Sequence, residues 1–164
     1  MIKAIFAIDE ANGIGKNNKM PWPFNKEDLK LFKQRTTNQI VVMGKGTWDS
    51  SDMPTPLPNR TNIVVSNSKN QIRDADIVLS GPVDLMADYL KSLSKKSGKD
   101  VFIIGGAQIL NLFKPYIEYV YLTKINGSYQ CDVKLDLDCF LERFVLKSSS
   151  DLETCKILEY SMEN

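Results

Sequence analysis

The chain has 164 residues, 43% of them hydrophobic and 25% charged, with a formal net charge of +1. That is one globular domain's length, able to bury roughly two-thirds of its unfolded surface, and the charge balance gives no general pull toward nucleic acid or anionic membrane. The absence of histidine excludes Ser-His and Cys-His nucleophile pairs and histidine-based metal sites, leaving acid–base chemistry to carboxylates, Lys, Tyr, Cys or water. Cys131, Cys139 and Cys155 fit no zinc or redox spacing and read as free thiols of a reducing cytoplasm. The N-terminal apolar run meets Asp9 too soon for a signal peptide, and no stretch reaches transmembrane length. A cytoplasmic protein is therefore expected, and the sequons at Asn59 and Asn126 are not read as glycosylation sites.

In chain order, Ile2 to Ile8 is apolar at nearly every position, as for a central strand buried on both faces. A loop rich in Gly and Asn follows, from Glu10 to Phe24. The spacing then predicts a helix over about Asn25–Arg35, with Asn25 as cap and Glu27 and Asp28 in its first turn. Gln39–Met43 reads as a strand running into Gly44-Lys45-Gly46-Thr47-Trp48. Ser51–Arg60 holds three prolines and reads as a loop. Short strands are expected near Thr61–Ser66 and Asp76–Leu79. Pro82 suits the first turn of the next helix, whose apolar stripe is Val83, Met86, Leu90 and Leu93. Val101–Ile104 reads as a strand ending in Gly105-Gly106, with a helix from Ala107 until Pro115 stops it. Tyr119–Ile125 reads as a strand. Arg143–Lys147 and Lys156–Met162 suggest a final antiparallel pair. Strands alternating with helices point to a mostly parallel sheet with helices on its faces.

Two glycine stretches invite nucleotide readings. Gly44-Lys45-Gly46 is no P-loop, since Gly46 stands where Ser or Thr must follow the Lys and Gln39 where the first Gly belongs. Gly105-Gly106 follows a strand and opens a helix, but no G-x-G-x-x-G frames it. Both junctions still suit phosphate, because glycine admits close backbone approach and a helix start presents free N–H groups. Close packing of helix on strand explains the same glycines equally well. In open α/β sheets ligands sit at the C-terminal ends of strands, where both junctions fall.

Met20-Pro21-Trp22-Pro23 is apolar and stiff, and Asp28 follows it. Asp28 and Phe32 are one turn apart on the predicted helix. Beside Leu29 and Phe32 the Asp28 carboxyl faces a partly apolar cleft, where desolvation raises its pKa. The alternative is an ordinary first-turn acidic residue, and Glu27 is the competitor on the more solvated face. Arg60, behind Pro56-Leu57-Pro58-Asn59, suits bidentate carboxylate binding from a stiff loop. A plain surface arginine is the alternative there.

Ile14-Gly15, Met20-Pro21-Trp22, Asp28 with Phe32, Met43-Gly44-x-x-Thr47-Trp48, Pro56-Leu57-Pro58-x-Arg60 and Ile104-Gly105-Gly106 occur in the order seen in dihydrofolate reductases. The chain resembles that family from Met1 to about Thr123 and more weakly beyond. The resemblance implies a single domain over 1–164 and an α/β fold. Its core is a central, mostly parallel sheet of about eight strands flanked by about four helices, with the C-terminal strand antiparallel. Residues of about 40–100 form a candidate adenosine-binding lobe.

It also implies NADPH-dependent reduction of dihydrofolate by a monomer, with no metal, and inhibition by antifolates such as methotrexate. By the resemblance, Asp28 holds the pterin's amino group and ring nitrogen while water delivers the proton. Trp22, Met20 and Thr123 support it. Ile5, Ala7, Leu29, Phe32, Leu57 and Ile104 line the substrate pocket, and Arg60 grips the glutamate carboxylate. Gly44, Lys45, Gly46 and Thr47, with Gly105, Gly106, Ala107, Gln108 and Ile109, hold the pyrophosphate. Ala7, Ile14 and Gly15 flank the nicotinamide, and Lys45, Ser66 and Asn67 meet a 2′-phosphate. The Gly105–Gly106 bond is cis in the family.

Three positions depart from the pattern. Leu110 stands where relatives commonly carry Tyr or Phe near the nicotinamide, and Gly46 where some carry a basic residue. Cys131 replaces a Gly in a loop that contacts the Met20 loop, while Asp132 beside it matches. Two other readings remain open on sequence: reduction of another pterin or a riboflavin precursor, and a non-catalytic folate- or nucleotide-binding assembly protein.

Overall fold

Strand β1 (Ile2–Ile8) lies between two parallel neighbours, and its alternate side chains enter separate cores. Ile2, Ala4, Phe6 and Ile8 join the larger core on one face, while Ile5 joins a second cluster on the other. This explains why the strand is apolar at every position but Lys3, since a strand covered on both faces has little room for polar residues. The structure, a computed structural model, describes residues 1–17, 19–53, 55–67 and 72–163. Pro54 of the proline-rich loop lies outside them.

The remaining strands are β2 (Gly13–Gly15), β3 (Ile40–Gly44), β4 (Thr61–Val65), β5 (Ile77–Leu79), β6 (Val101–Gly105), β7 (Tyr119–Ile125), β8 (Val133–Lys134), β9 (Phe144–Asp151) and β10 (Cys155–Met162). The helices are α1 (Lys26–Thr36), α2 (Lys45–Trp48), α3 (Val83–Ser97), α4 (Ala107–Phe113) and α5 (Leu137–Phe140), with a 3-10 turn at Lys114–Tyr116 around Pro115. Eight strands form one sheet in the order β5-β4-β3-β6-β1-β7-β10-β9. It is parallel from β5 to β7, and β10 pairs antiparallel with both β7 and β9. The expected mostly parallel sheet with an antiparallel C-terminal end is therefore present. Among the described residues, no helix is long and apolar enough to cross a membrane.

Local chemistry accounts for the ends of α1. The Asn25 side-chain oxygen accepts from Asp28 N at 2.9 Å, and Glu27 and Asp28 in the first turn oppose Lys33 and Arg35 in the last. In α3 the predicted stripe packs inward, with Met86 and Leu90 buried and Val83 and Leu93 half-buried against the same core. Gly98, at φ 70°, closes that helix in the left-handed conformation. Leu110 is fully buried in the larger core. It packs there instead of forming a wall of the cleft.

Four short elements and one extension go beyond the sequence reading. The four-residue α2 and α5 are too short for a periodic signature. The β2–β8 pair joins Gly13 and Gly15 to Lys134 and Val133, far away in the chain. Strand β9 also runs on to Asp151, past the expected Lys147, as a mostly exposed edge strand.

β6 lies between β3 and β1 although it follows both in sequence. The chain thus departs in opposite directions around this point, which opens a crevice at the C-terminal ends of β1, β3 and β6.

Candidate active site

The crevice is a cleft of about 480 Å³. One wall is apolar: Ile5 and Ala7 from β1, Leu29 and Phe32 from α1, Leu57 from the proline-rich loop and Ile104 from β6. Asp28 and Arg60 open into it, as do Ile14, Gly15, Met20 and Trp22 from the β1–α1 loop. At the other end are Thr47, Gly105, Gly106 and Ala107.

Asp28 is a half-buried carboxyl of the cleft. Burial pushes its pKa above the ordinary 3.8, while a hydrogen bond from the Thr123 hydroxyl and the charge of Arg35 pull it down. Thr123 is itself buried and reaches the site through Asp28. Glu27 faces elsewhere: its Oε1 accepts from Thr154 N at 2.8 Å and from the Thr154 hydroxyl. These bonds outweigh a small desolvation cost, and the Glu27 pKa is lowered. The choice between two adjacent acidic residues is thus settled by which one the helix turns into the cleft. Trp22 is buried, edge-on to Tyr129 with ring centroids 6.5 Å apart.

Arg60 stands across the cleft with its guanidinium carbon 5.7 Å from the Phe32 ring centroid. Its Nε is buried with no hydrogen-bond partner among the described residues. Burial lowers its pKa. A buried donor without an acceptor carries its full desolvation cost.

At the glycine junctions the structure separates two readings. A Cβ on Gly44 would fall 2.8 Å from Ile109 Cγ1, so this glycine is required by the packing of α4 on β3. Gly105 has φ 141°, where glycine is favoured, and the Gly105–Gly106 bond is cis. Cβ atoms on Gly105 or Gly106 would meet only Thr47 Oγ1, at 3.7 and 3.8 Å, so open space lies beside them.

Gly44, Lys45, Gly46, Ser66, Asn67, Gln108 and Ile109 are not in the wall of this cleft. Lys45 pairs with Asp49 at 2.5 Å and lines an adjoining polar cavity of about 490 Å³ with Asp49, Ser50, Arg73 and Asp74. Ser50 lines both spaces. Gly44 pairs with Val65, so Lys45 and Ser66 emerge side by side at the strand ends. Ser66 N donates to Leu79 O at 2.9 Å, and Asn67 is exposed.

The cleft also uses Phe6, Lys19, Lys33, Ser50, Asp52, Met53, Pro58 and Val133, which the sequence reading omits. Lys33 follows Phe32 at the end of the α1 wall and could have been found from the helix. Asp52 has no local signature: it enters because its Oδ2 accepts from Met20 N at 2.9 Å, joining two loops across the cleft. Val133 enters through its pairing with Gly15.

A family model described as dihydrofolate reductase matches residues 1–162. Dihydrofolate reductase of Ureaplasma parvum is 34% identical over 138 residues, 84% of this chain and 83% of the relative. That of Bacillus subtilis is 37% identical over 132 residues, 80% of this chain and 73% of the relative. A solved structure of dihydrofolate reductase from Enterococcus faecalis, complexed with NADP(H) and RAB-propyl, matches the fold with a TM-score of 0.80 at 23% identity. It covers 100% of this chain and 97% of that one. By the match of the family model to nearly its whole length and by these relatives, the chain belongs to the dihydrofolate reductase family.

Proposed function

We propose that this protein reduces 7,8-dihydrofolate to tetrahydrofolate with NADPH, as its family membership implies. The observation that carries the reading is one largely apolar cleft lined by a half-buried carboxyl, Asp28, and a half-buried arginine, Arg60, whose buried Nε has no hydrogen-bond partner among the described residues. A folate has the complementary pattern. Its flat pterin offers an amino group and a ring N–H to a carboxylate, and its glutamate tail offers a carboxylate to an arginine. A pterin or flavin precursor without that tail leaves Arg60 unanswered.

In this reading the Asp28 carboxylate accepts two hydrogen bonds from the pterin and favours the ring form that takes up a proton. Thr123 holds the carboxylate in orientation. Water delivers the proton, guided by Trp22, and the Met20 loop excludes bulk solvent. Ile5, Ala7, Leu29, Phe32, Leu57 and Ile104 supply the apolar walls, and Arg60 binds the tail.

The cofactor end fits a dinucleotide, since Gly105 and Gly106 leave open space beside the Thr47 hydroxyl. Thr47, Gly105, Gly106 and Ala107 would hold its pyrophosphate, with Gly44, Gly46, Gln108 and Ile109 shaping the junctions behind them. Ala7, Ile14 and Gly15 would flank the nicotinamide. Lys45, Ser66 and Asn67 would take the 2′-phosphate, with Lys45 exchanging Asp49 for it. The segment of about 40–100 then serves as the adenosine-binding lobe of a single 1–164 domain. When bound, NADPH supplies the hydride. The product feeds one-carbon metabolism and thymidylate synthesis in the cytoplasm, the protein acts as a monomer, and methotrexate inhibits it.

The test follows NADPH absorbance on adding dihydrofolate, with and without methotrexate. Methotrexate-sensitive loss of absorbance is expected. No dihydrofolate-dependent loss with folded protein overturns the proposal.

A further inference from the structure

Asp28 is supported from two directions along β7. Tyr121 and Thr123 are alternate residues of that strand and face the same way. The Thr123 hydroxyl lies beside the Asp28 carboxyl and acts to lower its pKa. The Tyr121 ring lies under Arg35, with the guanidinium carbon 4.2 Å from its centroid. Arg35 is seven positions after Asp28 on α1, so the two residues fall on nearly the same side of the helix.

Arg35 is held in place on its far side as well. Its Nη2 is 3.8 Å from Glu159 Oε2, and Glu159 Oε1 accepts from the Tyr119 hydroxyl at 2.9 Å. Glu159 pairs in register with Tyr121 from β10. Lys3 sits over the rings of Tyr119 and Tyr121, at 5.8 and 5.6 Å from their centroids, and is anchored by Asp100 at 2.9 Å. Both Arg35 and Glu159 are half-buried, where charges are screened less than on an open surface.

We propose that Arg35 is a positioning residue for Asp28: clamped between the Tyr121 ring and Glu159, it holds a fixed positive charge two turns along α1 from the carboxylate. The inference rests on Asp28 being the pterin-binding carboxylate. A purely mechanical role, pinning α1 to β7 and β10, is the competing account. Arg35 lies two turns from Asp28 on nearly the same side of α1, and the direction of its charge's effect is to favour the ionised carboxyl. The other groups around Asp28 are few. Lys33 lines the cleft from α1, while Glu27 is bound to Thr154. Thr123 faces it from β7. From β10 comes the Cys155 thiol, pushed up to about 11 by burial and then by Glu27 and Asp28, and so uncharged at neutral pH. Arg60, Lys19 and Asp52 stand farther round the cleft.

The experiment is a carboxyl-carbon NMR titration of Asp28 in the ligand-free protein, with its resonance assigned by its loss in Asp28→Asn. It is run on the parent protein, Arg35→Met and Arg35→Lys, with the pH profile of kcat/KM measured alongside. In Arg35→Met the Asp28 midpoint moves to higher pH and the kinetic profile moves the same way. Arg35→Lys restores both toward the parent values. An unchanged midpoint in Arg35→Met, whatever its melting temperature, overturns the proposal and leaves the mechanical account. If Arg35→Met does not fold, Arg35→Gln gives the same readout with a donor still facing Glu159. The two readings fail separately. Full turnover in Asp28→Asn removes Asp28 from the chemistry but not the electrostatic link, and an unmoved midpoint removes the link but not the chemistry.

Discussion

At Asp28 burial and hydrogen bonding act in opposite directions, and burial wins, so the carboxyl titrates above 3.8. The sign of the stability effect follows. The folded state binds this proton more tightly than the unfolded chain, so stability present below pH 3.8 is lost as pH rises through the raised value. Asp28→Asn removes that loss. It should melt higher than the parent at pH 7, with the gain vanishing below pH 3.8, while turnover falls by roughly 10²-fold, the scale of lost acid–base assistance. Near-parent turnover would exclude Asp28 from the chemistry. Arg60 presents a donor with no acceptor. Arg60→Leu should weaken dihydrofolate binding by roughly 10- to 100-fold, the worth of a hydrogen bond to a charged group, and the free protein should not be destabilised. Unchanged affinity by titration would place Arg60 outside the site. Neither residue announces itself by composition. Asp28 was visible because the period of α1 sets it beside Phe32, and Arg60 because a proline-rich loop leads into it.

The β1–α1 loop is held by Asp9, which is fully buried. Burial alone would raise its pKa, but N–H donors from Ala11, Gly13 and Tyr129 and the Cys131 thiol outweigh it and lower it. Its contribution to stability is therefore present above pH 3.8 and is lost as pH falls through the lowered value. The same node joins the loop bearing Ile14, Gly15 and Met20 to the segment before β8. Asn17 N donates to Asp132 Oδ2 at 2.9 Å, and Asp132 N donates to Gly15 O at 3.1 Å. Cys131 fits against Gly13 so closely that an added Cβ would lie 2.1 Å from its Sγ and 2.5 Å from its Cβ. Gly13→Ala should cost about 1–3 kcal/mol by overpacking. Cys131→Gly should recover much of that in the double variant, whereas Cys131→Ala should not, because the Cβ clash remains. Additive urea-denaturation effects in the Gly13→Ala/Cys131→Gly cycle would show that the contact is not shared. The resemblance implies that the Cys131–Asp132 loop meets the Met20 loop, but the part of Asp9, 122 positions from Cys131, has no local signature. Local pattern predicts α1 to within a residue at each end, but it does not predict which distant loop answers a buried carboxylate.

For the whole molecule, the sheet packs a larger core and two smaller apolar clusters, and the cleft lies at its C-terminal edge. The larger core contains Leu90, Leu110, Phe113 and Phe140, all buried. Leu90→Ala should destabilise the protein by about 2–5 kcal/mol and leave the KM for dihydrofolate unchanged, because Leu90 is not in the cleft wall. A raised KM in the folded variant would show that the helix layer transmits strain to the site. The second cluster behaves differently. Ile5 and Leu57 belong both to it and to the cleft wall, so packing and binding cannot be separated there.

The sequence by itself determined the parallel strands and the long helices, because burial on two faces, capping and helical period are written in local order, and its ordered motifs carried the resemblance to the family. It also determined which side chains could do chemistry, since without histidine the work falls to carboxylates. Tertiary structure decided what surrounds them. The turn of α1 sets Asp28 in the cleft and leaves Glu27 on Thr154, and the approach of β7 supplies Thr123 and Tyr121. The packing of α4 makes Gly44 a contact with Ile109, while the open space lies beside Gly105 and Gly106. Each of these depends on residues far apart in the chain, whose distances exist only once the sheet has assembled.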